Sequence, residues 1–209
     1  MAALFLIALT STTYAGGVEE PILTAPVFPQ VGDEFVYARF TSQNNLDADK
    51  RKWEKHYSVT EVSPNGFTME AEGKSRKRFD GSGNLTEYRT KKGKVTSYSP
   101  HTSTFLYPIQ IGDTHKVSYT KDDSDGEVQF NLLVSVIGWE DVTVAGKTWR
   151  ALHIKHEGSY TWQGYVGKTS TDEWLAPEAR WQYILKDSFW EWTGGSKGVI
   201  MGLVGMKLK

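Results

Sequence analysis

Hydrophobic and polar residues alternate along most of this chain, in short runs punctuated by turn signals. Glu34 to Thr41 (EFVYARFT) is β-branched and aromatic with a period of two. Lys55 to Val62 (KHYSVTEV) follows, and Pro64-Asn65-Gly66 joins it to Phe67 to Ala71 (FTMEA). Asn-Gly is a strong hairpin signal, because both residues tolerate positive φ. Further turns fall at Asp80 to Asn84, Lys91-Lys92-Gly93 and Asp122 to Gly126, each between runs rich in Thr, Val, Tyr and Phe. Strands therefore recur roughly every 8–12 residues, the spacing of a sandwich or barrel. Asn44 to Lys55 is long and very polar and reads as a loop.

The pattern is clearest in the C-terminal half. Val142 to Ile154 reads as a hairpin with an Ala145-Gly146 turn, in which Trp149, Ala151 and His153 share one face of the second arm. Arg180 to Leu185 reads as a strand with Trp181 and Tyr183 on one face, and Trp190 and Trp192 alternate on the next. The tail, Gly194 to Lys209, reads as a final strand at a sheet edge. Gln30-Val31-Gly32-Asp33 recurs as Gln110-Ile111-Gly112-Asp113, each copy after an aromatic-Pro pair and before a strand. A Gly-Asp turn that launches a strand explains both copies, since Asp bonds its own backbone. The expected fold is all-β with little helix: a strongly curved, mainly antiparallel sheet of about ten or more strands, forming an open or half barrel.

The first residues carry a different pattern. Met1 to Ala15 has no charge, Ala2 to Leu9 is unbroken apolar, and Thr13 and Ala15 are the small residues of a signal-peptidase site. The expected organisation is a signal peptide over 1–15, an extended lead-in over 16–26 dotted with proline, and a single β domain over 27–209. An exported protein, periplasmic or extracellular, is expected. The apolar run is about half of the ~20 residues that a bilayer needs, so no membrane span is expected in the mature chain.

Composition narrows the function classes. Net charge is −1, which gives no pull on nucleic acid. There is no cysteine, which excludes disulfides, thiolate metal sites and a cysteine nucleophile. His153 and His156 fall on opposite faces of one strand, so they cannot share an ion in regular geometry, and His56, His101 and His115 are scattered. No metal site, no cofactor and no catalytic residue is assigned. G-x-S-x-G is absent. Glu173 and Glu178 flank Trp174, but their W-x-x-P setting explains them through packing. Lys74 to Arg78 (KSRKR), with Lys91, Lys92 and Lys94, reads either as one positive face or as lysines that guard an exposed strand.

Three segments carry a resemblance. Pro29 to Tyr37 is similar to P-x-x-G-D-x-W/F-x-Y, Val142 to Ala151 to V-x-V-x-A-G-x-F/W-x-A with its Ala-Gly one position early, and Trp174 to Glu178 to W-x-A/S-P-E. Together they resemble a broad group of secreted bacterial β proteins without assigned chemistry. That group in turn resembles the lipoprotein-carrier-like half-barrels, whose curved sheet wraps an apolar groove. The resemblance implies a fold and supplies no catalytic residue. Carriers close the groove with helices, and no amphipathic helix is legible here.

The remaining signal is aromatic. There are eight tryptophans, and most lie in the last third of the chain. Trp149, Trp162, Trp181, Tyr183, Trp190 and Trp192 form either a sheet core or the lining of a groove for an apolar ligand. The expectation carried forward is a non-enzymatic binding module, with a lipid-like ligand or a protein segment in a concave groove. Its rival is a structural or interaction protein of the bacterial envelope with no small ligand.

Overall fold

The computed structural model describes residues 23–25, 27–43, 46–47, 51–71, 75–102 and 104–209. The signal segment and most of the lead-in lie outside the described residues. The rest is a meander of twelve antiparallel strands. In chain order they are β1 (Glu34–Phe40), β2 (Glu54–Ser63), β3 (Gly66–Ala71), β4 (Ser75–Asp80), β5 (Leu85–Arg89) and β6 (Val95–Ser99). Then come β7 (Thr114–Asp123), β8 (Gly126–Val144), β9 (Lys147–Trp162), β10 (Tyr165–Leu175), β11 (Tyr183–Trp192) and β12 (Gly195–Lys207).

Each strand pairs with its sequence neighbours, and β1 also pairs with β12, from Glu34 opposite Lys207 to Phe40 opposite Ile200. The sheet is therefore a closed barrel, which corrects the open or half barrel expected from the sequence. Alternation within a strand says which residues share a face, but nothing about whether the first and last strands meet. The tail is likewise an interior member of the ring and not an edge strand, and closure leaves no edge to protect.

Charged residues of the outer wall, such as Arg76, Arg78, Lys116, Glu127, Lys155, Glu157 and Lys168, alternate with interior ones. This is the reverse of the apolar band that a transmembrane barrel shows to lipid. Among the described residues no helix is long and apolar enough to cross a membrane.

The two Gly-Asp segments are one structural device used twice. Gly32 N–H donates to Val59 O and Val59 N–H to Asp33 O; Gly112 N–H donates to Val136 O and Val136 N–H to Asp113 O. Gly32 has φ of 90° and Gly112 of 88°, which favours glycine at both. One copy opens the six strands β1–β6 and the other the six strands β7–β12. Asp33 is fully buried, accepts from the Lys209 and Gln30 N–H groups, and lies 3.0 Å from Arg180 Nε.

One end of the barrel is filled. Phe35, Tyr37, Tyr57, Val59, Phe67, Met69 and Leu203 form its buried core. A second cluster, Leu23, Ile109, Val134, Val136, Ile154, Leu175 and Trp181, continues it under β8–β10. The β6–β7 connection is tucked in here. Asn84 holds it with both amide atoms, Nδ2 donating to Phe105 O and Oδ1 accepting from Phe105 N–H.

The β8–β9 hairpin is longer than the barrel wall needs. A bulge at Gly138, with φ of 147°, turns its distal half away as a flap made of residues 139–144 and 147–151. The flap packs on the outer face of the closing seam. A Cβ on Gly202 would meet Phe40 and Val144 at 2.8 Å, so glycine is what lets flap and wall touch. Ala145 N–H donates to Leu46 O. The flap turn is the expected Ala145-Gly146, with φ of 51° and 81°.

Candidate functional site: the barrel lumen

The other end of the barrel is not filled. It holds a cavity of about 530 Å³ that opens past the β9–β10 and β11–β12 turns, within the roughly 300–1,000 Å³ span of small-molecule sites. Register builds it in layers. Down β9, the inward residues are Trp162, Tyr160, Gly158 and His156; down β10 they are Thr169, Thr171 and Glu173. Down β11 they are Trp192, Trp190, Ser188 and Lys186. The mouth and middle are aromatic, completed by Phe130, Tyr119 and Tyr98 across the lumen. Tyr119 stacks on Phe130 at 4.8 Å. Tyr160 lies flat against the wall because its strand partner is Gly167, where a Cβ would meet the ring at 2.4 Å.

The floor is polar and charged. Glu173 is buried and ion-paired with Lys186, with His156 Nε2 3.6 Å from its second oxygen. Burial alone would raise the Glu173 pKa; the Lys186 ammonium and His156 more than offset it and hold the carboxyl well below the usual carboxylate range. Beneath them sits Lys77, whose Nζ lies 4.5 Å from the Tyr57 ring and 5.9 Å from the Tyr37 and Tyr183 rings. Burial, with Lys186 and Lys55 as like charges, pushes the Lys77 amine down to about 7. Lys55 donates to Tyr88 Oη at 2.9 Å. Burial acts to lower Lys55, but Tyr88 and Tyr57 outweigh it and raise its pKa. Desolvation raises Tyr98 to about 12.

Of the six residues singled out by sequence, three line the cavity: Trp190 in its wall, and Trp162 and Trp192 at its mouth, the latter two part-exposed. Tyr183 lies below the floor, stacked 4.5 Å from Tyr37. Trp181 plugs the filled end, 5.8 Å from Trp139. It is not on a strand with Tyr183: Pro177–Ala179 form a 3-10 turn, and Arg180 and Trp181 take φ of 52° and 59° before β11 begins. Trp149 is buried outside the barrel, in the flap, with Lys147 Nζ 3.4 Å above its ring. The basic KSRKR segment does not make one face, since Arg76 and Arg78 point outward and Lys77 inward. Sequence reasoning missed the floor residues Lys77 and Lys186, and it assigned Glu173 to packing beside Trp174. The signal was present in the alternation of β4, where Lys77 stands between the inward Ser75 and Phe79.

Outside the barrel, His153 holds the flap to the wall. Its Nδ1 lies 2.9 Å from Glu140 of the flap and its Nε2 2.7 Å from Asp172 of β10. The ring stacks on Trp174 at 4.5 Å, and Trp174 Nε1 donates to the other Glu140 oxygen. An imidazole that donates to two carboxylates must be protonated. Burial opposes that charge, but Asp172 and Glu140 prevail and raise the His153 pKa.

Two solved structures share this architecture. The hypothetical lipoprotein YmcC from Escherichia coli (K12) matches with a TM-score of 0.52 at 10% identity, over 83% of this chain and 84% of that one. The fold is YmcC-like. A putative exported protein with a YmcC-like fold from Bacteroides fragilis matches with a TM-score of 0.51 at 12% identity, over 90% of this chain and 100% of that one. At such identity the YmcC-like likeness establishes architecture and not chemistry. No protein-family profile matches the chain, and no curated protein matches its sequence.

Proposed function

We propose that this YmcC-like barrel is an exported, non-enzymatic binding module that takes an apolar or amphiphilic small molecule into its lumen. One observation carries the reading. The lumen is walled by Tyr98, Tyr119, Phe130, Tyr160 and Trp190, yet it holds about 530 Å³ that no side chain fills. Protein interiors normally close such space, because unfilled apolar volume forfeits packing contacts. Export is supported by the apolar segment Ala2 to Leu9 and by the descriptions of both fold neighbours as lipoprotein or exported protein. A second reading, an envelope interaction protein, draws on the exposed Trp162, Tyr165, Val166, Phe189 and Trp192 around the open end.

Native mass spectrometry of protein purified from its own envelope separates the two. A co-purified small molecule, released on denaturation and absent after Trp190→Arg fills the lumen, supports the binding module. A bare chain, together with tryptophan fluorescence that no amphiphile perturbs, leaves the interaction reading.

A further inference from the structure

The floor of the lumen has more cationic groups than it can pair internally. Lys55, Lys77 and Lys186 converge there on β2, β4 and β11, and Glu173 is the carboxylate they share. The amines surround the same two rings. Lys77 Nζ and Lys186 Nζ are each 5.9 Å from the Tyr183 ring, and Lys55 Nζ and Lys77 Nζ are 5.2 Å and 4.5 Å from the Tyr57 ring. Lys186 is spoken for by Glu173 but keeps about a third of its side chain exposed to the cavity. Lys77 makes no ion pair among the described residues. A fixed carboxylate would have balanced it; the barrel instead surrounds it with ring faces, which favour a cation only weakly against the loss of water. An excess of half-buried amines beside an accessible cavity favours an anion from outside.

The layering says how that anion arrives. Along β11, Lys186 lies six residues below Trp192, about 20 Å at ~3.4 Å per residue. The aromatic rings fill the path and the charges wait at its end. We infer that the lumen floor is an anion-binding site, and that the ligand is an amphiphile whose carboxylate or phosphate group docks head-first against Lys186, with the charge of Lys77 directly behind it and its apolar body between Phe130, Tyr160 and Trp190. This rests on the reading of the lumen as an amphiphile site.

Proton linkage follows. The groups that face Lys77 are Lys55 and Tyr57 of β2, Tyr37 of β1, Tyr88 of β5, His156 of β9, Glu173 of β10, and Tyr183 and Lys186 of β11. Burial, with Lys186 and Lys55 as like charges, lowers the Lys77 amine to about 7. A docked anion favours the ammonium form, so binding takes up a proton near neutrality and weakens as pH rises above that value.

The test uses four single-chain probes followed by tryptophan fluorescence: laurate, lauryl phosphate, dodecanol and dodecyltrimethylammonium. Both anions should bind about tenfold or more tightly than the alcohol, the scale of one charge-assisted hydrogen bond, and the cation least. The ratio of laurate to lauryl phosphate distinguishes a fatty-acid head from a phosphate head. Lys186→Met and Lys77→Met should each abolish the anion preference while dodecanol binding persists. Lys197→Met, at the mouth, should leave it intact. Lys77→Met removes an unpaired half-buried amine, so it keeps the test decisive if Lys186→Met, which strands Glu173, does not fold. Calorimetry of laurate binding near neutral pH in buffers of different ionisation enthalpy should show proton uptake that Lys77→Met abolishes. If dodecanol binds as tightly as laurate, or if Lys77→Met keeps the full anion preference, the anion site is refuted while the amphiphile reading stands. If none of the four probes binds, both fall.

Discussion

His153→Phe should unlatch the flap in a pH-dependent way. The substitution keeps a flat ring to stack on Trp174 and removes both charge-assisted contacts, at 2.9 Å to Glu140 and 2.7 Å to Asp172. Such bonds contribute about 1.5–3 kcal/mol each when shielded. Here the imidazole is 13% exposed, but Glu140 is 43% and Asp172 27% exposed, so solvent screens the pair. A net loss of about 2 kcal/mol is expected. The sign follows from linkage. The folded-state pKa of His153 is raised, so its contribution is complete below the unfolded value of about 6.5 and is lost as pH climbs through the folded value. The Glu140 pKa is lowered, by Trp174 and His153 acting against burial, so its contribution fades only as pH falls below the ordinary carboxylate range. Lys77 slopes the other way, its stability cost easing as pH rises above about 7, but it does so in both proteins and cancels in their difference. Urea unfolding of wild type and variant at about pH 6 and about pH 9 should show a gap of about 2 kcal/mol that narrows at the higher pH. Hydrogen exchange should locate the loosening in residues 139–151. A gap of equal size at both pH values, or exchange unchanged in the flap, would show that His153 is not the latch.

Two further outcomes follow from glycines. Gly146→Val should destabilise by about 1 kcal/mol or more in a urea titration, because φ of 81° is strained for a β-branched residue even though nothing crowds the site. Gly167→Val should push the Tyr160 ring off the wall into the lumen, so probe binding should fall at least as steeply as stability does; binding unchanged by ligand titration would mean that Tyr160 does not border the occupied space.

Local features were legible in the sequence where backbone chemistry is local. Gly32 and Gly112, and the Ala145-Gly146 turn, are positions that need positive φ, and their residue types announce it. Strand identity and facing were legible for Trp190 and Trp192, which do share the lumen wall. For Trp181 and Tyr183 the strand itself was misplaced, because two left-handed residues after Pro177–Ala179 delay β11 to Tyr183, although both rings pack in one buried cluster. Closure was hidden because it depends on pairing across 173 positions, Glu34 with Lys207. The lumen floor was hidden for a different reason. A lysine on a strand is ordinarily solvated, and only the ring of neighbours shows that Lys77 points inward, with Lys186 and Glu173 for company.

The seam between β1 and β12 also sets the order of assembly. Hairpins such as β8–β9 close over a two-residue turn and need nothing distant. The first strand, by contrast, gains its second neighbour only when the last strand has been made and, in an exported chain, has crossed the membrane. Until then β1 and β12 are two bare edges of a curved sheet, each able to recruit a foreign strand. Because the flap lies over this seam, with Val144 against Gly202 and Phe40, docking of the flap is the step that turns a closed ring into a locked one.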